Sequence, residues 1–444
     1  MRPLLWALCL ALTLPTLACR RHHRTVVSRP TGLAGKGDRF VRALARSGWH
    51  DARAGFAPVM LDAMTEEALA KAWQEMLGKA GAFQSVLSVR EDPPKDGFRA
   101  IVVTTRHAKA PMDVRVVYDK DEKVSGLWFS PGKVDWSPPA YAKQSAFTEV
   151  ELTVGTMPPL PATLTLPKGG APARAVLLVH GSGPHDRDGS LGSTKPFKDL
   201  AWGLASRGIA VLRYEKRTLF APGTLQGAFD QDDEVTFDAR AAVAVLAGRT
   251  DIDGKHIVLV GHSQGASMAP RIARSEPKIA AIAVLAGDTR PFDRLLVEQW
   301  RYLLGVQGVD EVNRANELET LRDELRRARS EGADAELVEV GGSKAPRRYW
   351  RDLLHHQGHE IAKELSIPIF VAQGGRDYQV TLEDFGGWKV ALGARPNTTF
   401  RLYPSLNHLF VKGEGPSTPD EYRWPGHVDG GVIEDLSRWI GELH

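Results

Sequence analysis

Gly261-His262-Ser263-Gln264-Gly265 places a glycine two residues to either side of a serine, directly after the apolar run Ile257 to Val260 and before the helix-compatible stretch Ala266 to Arg274. A strand feeding a helix through so tight a turn holds the serine in a strained bend and lifts its hydroxyl above the sheet edge. A serine hydroxyl is a weak nucleophile at neutral pH, and needs a base to take its proton and a third group to fix that base in the right tautomer. Two such groups lie downstream. Asp377 sits in Gln373-Gly374-Gly375-Arg376-Asp377-Tyr378 after one strand-like run, and His408 in Leu406-Asn407-His408-Leu409-Phe410 after the next. Alone, Asp377 reads equally as a helix-entry residue before Thr381 and His408 as a loop histidine. In register with Ser263, the order Ser, Asp, His, each just past the carboxyl end of a strand, is that of an acyl-transfer triad.

The negative oxygen of a tetrahedral intermediate needs two backbone donors. His180-Gly181-Ser182-Gly183-Pro184 follows the run Ala175 to Val179, and its glycines let amides face a site. The expected donors are the N–H groups of Gln264 and Ser182, with Gly183 as a substitute for the second; His180 is read as structural. His355, His356 and His359 include an i,i+4 pair, yet no thiolate supports them, so neither metal nor cofactor is expected. Asp232, Asp233 and Glu234 read as a helix start complementing the helix dipole. Asp186, Arg187 and Asp188 read as a salt-linked loop.

These residues need a scaffold, and the chain supplies its pattern. From Thr148 onward a predicted hairpin (Thr148 to Val154, Pro161 to Leu166) precedes alternating units: Ala175–Val179 and a helix near Phe197–Arg207, Ile209–Tyr214 and a helix over Asp233–Ala247, then Ile257–Val260 and Gln264–Arg274, then Ile279–Leu285. Alternation of this kind gives a mostly parallel sheet with helices on both faces. It breaks over about 288–365, a charged helical segment carrying Trp300, Tyr302, Leu303, Leu304, Tyr349 and Trp350 and read as a cap, whose aromatics are expected to form an acyl or alcohol pocket. The sheet resumes with Ile367–Ala372, a helix over Leu382–Leu392, Thr399–Tyr403 and a last helix over Val432–Leu443. Upstream, residues 36–135 read as a small α+β domain: helical spacing up to Gly81, then strands Ser85–Arg90, Phe98–Thr105, Met112–Tyr118 and Val124–Phe129, with Asp92–Gly97 as a turn.

With 444 residues and 43% hydrophobic side chains the chain can build two or three domain cores, and a net charge of +3 without an aromatic-studded basic stripe excludes nucleic acid as an expected partner. Both cysteines, Cys9 and Cys19, fall in the first nineteen residues, which removes thiol catalysis and cysteine-based zinc from the folded part. Arg2 and the apolar run Leu4 to Leu17 read as a signal peptide over 1–18. Thr16-Leu17-Ala18-Cys19 resembles a lipobox, departing from it at Thr16 and Leu17. The expectation is an exported protein, lipid-anchored through Cys19 and facing the periplasm or cell exterior, with 19–35 a flexible leader.

Further segments carry a family resemblance. Ser182-Gly183-Pro184-His185-Asp186-Arg187-Asp188, Lys195 to Ala201, Leu212-Arg213-Tyr214-Glu215-Lys216-Arg217-Thr218 and Leu406 to Phe410 resemble the EstD-type bacterial carboxylesterases from about Phe147 to the carboxyl terminus, most loosely across the cap. The resemblance implies an α/β-hydrolase fold over 145–444, a Ser263–Asp377–His408 triad and hydrolysis of carboxylic esters. Residues 36–135 resemble the small domain of unknown function that precedes some bacterial hydrolases. The expected ligand is a small-molecule ester of small or medium acyl chain. A serine peptidase or amidase is the alternative, and a noncatalytic binding protein on the same scaffold a remoter one.

Overall fold

A computed structural model describes residues 30–132, 134–169 and 172–443. The span expected to be a signal peptide, and Cys19, lie outside them. The chain forms two compact units, one up to Trp136 together with Pro419–Pro425, the other over Ser137–Thr418 and Gly426 onward.

In the first unit four helices, Gly32–Ala45, Trp49–Arg53, Pro58–Ala63 and Glu66–Ala80, precede an antiparallel meander, β1 (Phe83–Lys95), β2 (Phe98–His107), β3 (Met112–Tyr118) and β4 (Val124–Pro131), in the order β1-β2-β3-β4. Its core joins Leu44, Leu69 and Trp73 of the helices to Ile101, Val103, Val114 and Val116 of the sheet. Two expectations need correcting. Helix Gly32–Ala45 begins inside the span read as flexible leader, because Leu33 is drawn into this core. Asp92–Lys95 belongs to β1; Pro93 and Pro94 are tolerated because β1 is an edge strand with a register shift between Asp92 and Lys95.

The second unit is built on an eight-stranded mixed sheet: β5 (Phe147–Val154), β6 (Leu160–Pro167), β7 (Ala173–Val179), β8 (Ala210–Tyr214), β9 (Ile252–His262), β10 (Ile279–Leu285), β13 (Ile369–Gly374) and β14 (Thr398–Tyr403), in the order β14-β13-β10-β9-β7-β8-β6-β5. Strands β8, β7, β9, β10, β13 and β14 run parallel, while the β5–β6 hairpin joins antiparallel at β8. The parallel strands are near-continuous apolar runs, as burial on both faces requires; Ile257, Val258 and Leu259 are fully buried. From β7 the chain steps outward to β8 and returns past β7 to β9, so the strand order reverses there and leaves a crevice at the carboxyl ends, where open α/β sheets place their ligands.

Between β10 and β13 the chain leaves the sheet for helices Phe292–Val306 and Glu311–Arg329, a short hairpin (β11, Leu337–Val340; β12, Ser343–Pro346) and helix Arg347–His355. This cap has its own core of Trp300, Leu304, Leu318, Leu321, Leu325 and Trp350. The helix that follows, Gly358–Glu364, was expected in the cap but belongs to the layer over the sheet. Ala362 joins the sheet core, and a Cβ at Gly358 would run into the Ser267 carbonyl.

Candidate active site

Ser263 has φ 55° and ψ −120°, a backbone conformation rarely open to a side-chain-bearing residue, at the junction of β9 and helix Gln264–Ser275. The flanking glycines are a steric requirement of that bend. A Cβ at Gly261 would meet the Gly265 carbonyl, and one at Gly265 would lie 2.5 Å from the His180 carbonyl oxygen and closer still to that of Val179. The helix accepts the serine as its start, with Ser267 N–H donating to Ser263 O at 3.0 Å, while Ser263 N–H donates to Leu285 O of β10 at 3.0 Å. The side chain is partly exposed at the strand ends, although the surrounding backbone is pinned.

Register brings the other residues to the same edge. Val179 pairs with Gly261, His262 with Leu285, Leu285 with Ala372 and Gly374 with Tyr403, so the loops after β7, β9, β13 and β14 open side by side. The carboxylate of Asp377 is fully buried. Its Oδ2 accepts from His408 Nδ1 at 2.7 Å and Gln373 Nε2 at 3.1 Å, and its Oδ1 accepts from Gln379 N–H at 2.8 Å and Val380 N–H at 3.0 Å. As an acceptor of four hydrogen bonds the carboxylate takes the His408 proton bond at Oδ2, which fixes that imidazole proton on Nδ1. The His408 loop is held by Asn407, whose Oδ1 accepts from Leu409 N–H at 3.0 Å and Val411 N–H at 3.1 Å. His262, next to Ser263 in the chain, donates from Nε2 to His408 O at 2.8 Å, and the two rings lie 4.7 Å apart. Burial, with the neighbouring His408, pushes the His262 pKa down to about 3, so this bond is made by a neutral ring.

The turn expected to supply the second backbone donor packs against the serine: a Cβ at Gly181 would lie 3.1 Å from Ser263 Cβ. His180 is structural, its Nε2 donating to Tyr214 O at 2.7 Å and its ring stacked on Phe197 at 4.6 Å. Burial, then the neighbouring His185, holds its pKa well below the usual histidine value. Loop 186–188 is salt-linked: Arg187 pairs with Glu215 at 2.8 Å and with Glu151, and Asp188 with Arg213 and Lys195 at 2.9 Å each.

Other expectations fare differently. Trp300, Leu304 and Trp350 are spent on the cap's own core, Trp350 donating its indole N–H to Val338 O at 2.9 Å. Of the aromatics expected to line a pocket, Tyr302 comes near the acid loop: it stacks on Tyr378 at 4.9 Å and both line a cavity of about 420 Å³ with Gln299 and Asp377. His355 bonds Arg351 O of its own helix and His356 donates to Ser267 O at 2.8 Å, so the two serve local structure. Asp232 and Glu234 open a π-helical turn, Asp232–Thr236, ahead of helix Phe237–Ala247, but Glu234 does not serve the helix dipole. It is buried against Lys216, Oε1 to Nζ 2.9 Å. Its carboxyl, which burial alone would push up, is held below the ordinary range by the Lys216 ammonium and the hydrogen bonds it receives. Lys216 and Glu234, which bond the side chain of Gln264 next to Ser263, are the residues whose place here sequence reasoning missed; the only signal was that Lys216 lies in the Leu212–Thr218 segment. Tyr349, one of the cap aromatics expected to line a pocket, donates its hydroxyl to the same Glu234.

A parallel sheet with helices on both faces, a strand–turn–helix elbow at Ser263 and an acid–histidine pair on the next strand ends describe an α/β hydrolase, and residues 176–429 match the model of the alpha/beta hydrolase family. Esterase EstD of Thermotoga maritima is 35% identical over 378 residues, covering 85% of this chain and 88% of that protein. The chain therefore belongs to the EstD-like carboxylesterases of the α/β-hydrolase superfamily. Residues 38–127 match a family of proteins of unknown function, DUF3887. Among solved structures, the esterase domain of a Rhodothermus marinus protein is 19% identical with a TM-score of 0.39, covering 66% of this chain and 97% of that one. A puromycin-hydrolyzing peptidase of Mycobacterium tuberculosis is 14% identical with a TM-score of 0.43, covering 78% and 46%.

Proposed function

We propose that Ser263, His408 and Asp377 form the triad through which this carboxylesterase cleaves esters of small or medium acyl chain. The observation that carries the reading is the 2.7 Å bond from His408 Nδ1 to the saturated, buried Asp377 carboxylate, in a loop tied by His262 to the strained Ser263 elbow. With Nδ1 protonated, the lone pair of His408 is on Nε2. Nε2 takes the Ser263 hydroxyl proton as Oγ attacks the ester carbonyl, and the N–H groups of Gln264 and Ser182 receive the negative oxygen. Collapse breaks the bond to the alkoxide, which leaves with the proton from His408. Water then repeats the sequence on the acyl-enzyme and releases the acid.

Two features favour short acyl chains. The side chain of Gln264 is surrounded by polar groups, Gln231, Glu234 and Tyr349, and the large cap aromatics Trp300 and Trp350 are committed to the cap core. The sequence motif at Thr16–Cys19 supports export and anchoring through Cys19, placing the enzyme at the periplasmic or outer face of a membrane. The deciding experiment is a series of p-nitrophenyl esters from acetate to palmitate beside matched anilides, on wild type and Ser263→Ala. The reading expects kcat/KM to peak at or below about eight acyl carbons, anilides to be slow and Ser263→Ala to be inert. Preference for anilides would replace it with an amidase. Metabolic labelling with a lipid precursor in wild type but not Cys19→Ala tests the anchor.

A further inference from the structure

Three successive carbonyls of the turn after β7 are held from behind. Gly181 O accepts from Lys216 Nζ at 2.7 Å, Ser182 O from His185 Nε2 at 2.8 Å and Gly183 O from Thr218 Oγ1 at 3.3 Å. Across a trans peptide the carbonyl and the following N–H point in opposite directions. Drawing Gly181 O onto Lys216 therefore aims Ser182 N–H away from Lys216. The donor at His185 is a neutral ring, since burial and then the Lys216 ammonium push its pKa down to about 4.

Lys216 also reaches the other proposed donor. Its side chain is 4% exposed, and its three ammonium protons meet three acceptors: Gly181 O, Gln264 Oε1 at 3.1 Å and Glu234 Oε1 at 2.9 Å. Gln264 Nε2 donates in turn to Glu234 Oε2 at 3.2 Å, which also accepts from Tyr349 O–H at 2.8 Å. One cation thus holds the carbonyl of the peptide that carries Ser182 N–H and the side chain of the residue that carries the other N–H. A buried ammonium is costly unless paired, and Glu234 pairs it. A neutral side chain could make the same hydrogen bonds without that cost. What the charge adds is polarisation of the Gly181–Ser182 amide, which makes its N–H a stronger donor to a developing anion.

We propose that Lys216, neutralised by Glu234, is a positioning residue that sets the two oxyanion donors of the esterase reaction relative to each other and strengthens the one at Ser182. The proposal rests on the reading of Ser263 as nucleophile. It accounts for a buried ion pair beside the site and for the place of Lys216-Arg217-Thr218 just after β8, where Lys216 and Thr218 both face the turn.

The test uses the full chain with Lys216→Met, Glu234→Gln and the charge-balanced Lys216→Met/Glu234→Gln, each first checked for a native near-ultraviolet spectrum. The double variant leaves no unpaired buried charge and decides the matter if Lys216→Met does not fold; Glu234→Gln, which keeps the lysine, is expected to lose less. kcat and KM are measured on p-nitrophenyl acetate, with inhibition by a trifluoromethyl ketone, which becomes an oxyanion only on addition of a serine hydroxyl. The expected result for the folded double variant is kcat lower by about a hundredfold, KM within about threefold of wild type, and ketone affinity weakened in step with kcat. A kcat within about threefold of wild type, or a loss confined to KM, overturns the proposal. Ser263→Ala separates the two readings. If it is inert while the Lys216 variants are fully active, the positioning role alone fails; if it retains turnover, the nucleophile assignment fails and takes this role with it.

Discussion

Replacing Asp377 by asparagine changes no heavy-atom positions, yet the hydrogen bonds around the carboxylate dictate how the new amide must sit. Oδ1 accepts two backbone N–H groups, from Gln379 at 2.8 Å and Val380 at 3.0 Å, which cannot turn away. The amide oxygen must stay there, so the NH₂ takes the place of Oδ2, facing His408 Nδ1 at 2.7 Å and Gln373 Nε2 at 3.1 Å. Two N–H groups cannot face each other, so the imidazole gives up its proton at Nδ1 and carries it on Nε2. The lone pair then points at the amide and none is left for the Ser263 hydroxyl. A wrong-tautomer base of this kind lowers kcat by about ten-thousandfold, or roughly 5 kcal/mol of barrier. KM should stay within a few-fold, because no substrate contact is removed. Steady-state hydrolysis of p-nitrophenyl acetate by Asp377→Asn, with folding checked by thermal melting, measures both. A loss of less than about tenfold would refute the tautomer argument and leave Asp377 a loop-ordering residue.

Gly265→Ala forces a Cβ against the Val179 and His180 carbonyls, so it should destabilise the second unit by more than about 3 kcal/mol, read as a drop in the urea midpoint; an unchanged midpoint would contradict the close approach. Trp350→Ala should cost about 3–5 kcal/mol of cap stability and raise protease sensitivity within 292–355, while Ser263 remains labelled by a fluorophosphonate. His262 titrates at about 3 when folded against about 6.5 unfolded, so its contribution is complete above pH 6.5 and is lost as pH falls towards 3. Between pH 7 and pH 5 this removes on the order of 2 kcal/mol, and His262→Asn should flatten that part of a urea-stability profile; a slope equal to that of wild type would count against it.

Much of the fold is legible along the chain because each parallel strand is buried on both faces and must be a continuous apolar run. Ile257–Val260 and Ile279–Leu285 announce themselves in that way, and helix Leu382–Leu392 lies at its expected residues. The cap is harder to read. Its aromatics suggest a pocket, but pattern cannot say whether an apolar side chain faces a substrate or a neighbouring helix. Trp300 and Trp350 turned to the cap's own core, and helix Gly358–Glu364 went to the sheet layer because Gly358 allows close approach to Ser267. Pro93 and Pro94 misled for a related reason: a proline breaks a central strand, and only the sheet order reveals β1 as an edge.

Local chemistry by itself determined the strained elbow at Ser263, since Gly261 and Gly265 are demanded within five residues, and it singled out Asp377 and His408 through their order after successive strands. Tertiary structure alone decided what surrounds them. Lys216, Glu234, Gln264 and Tyr349 are up to 133 residues apart in the chain (349 − 216), and nothing where each stands announces that they bond one another. Their meaning lies in a buried charge balance, in which every donor finds an acceptor only after β7, β8, β9 and the cap have assembled. Periodicity records which face of an element is apolar; it carries no record of which polar groups must satisfy one another across the folded interior.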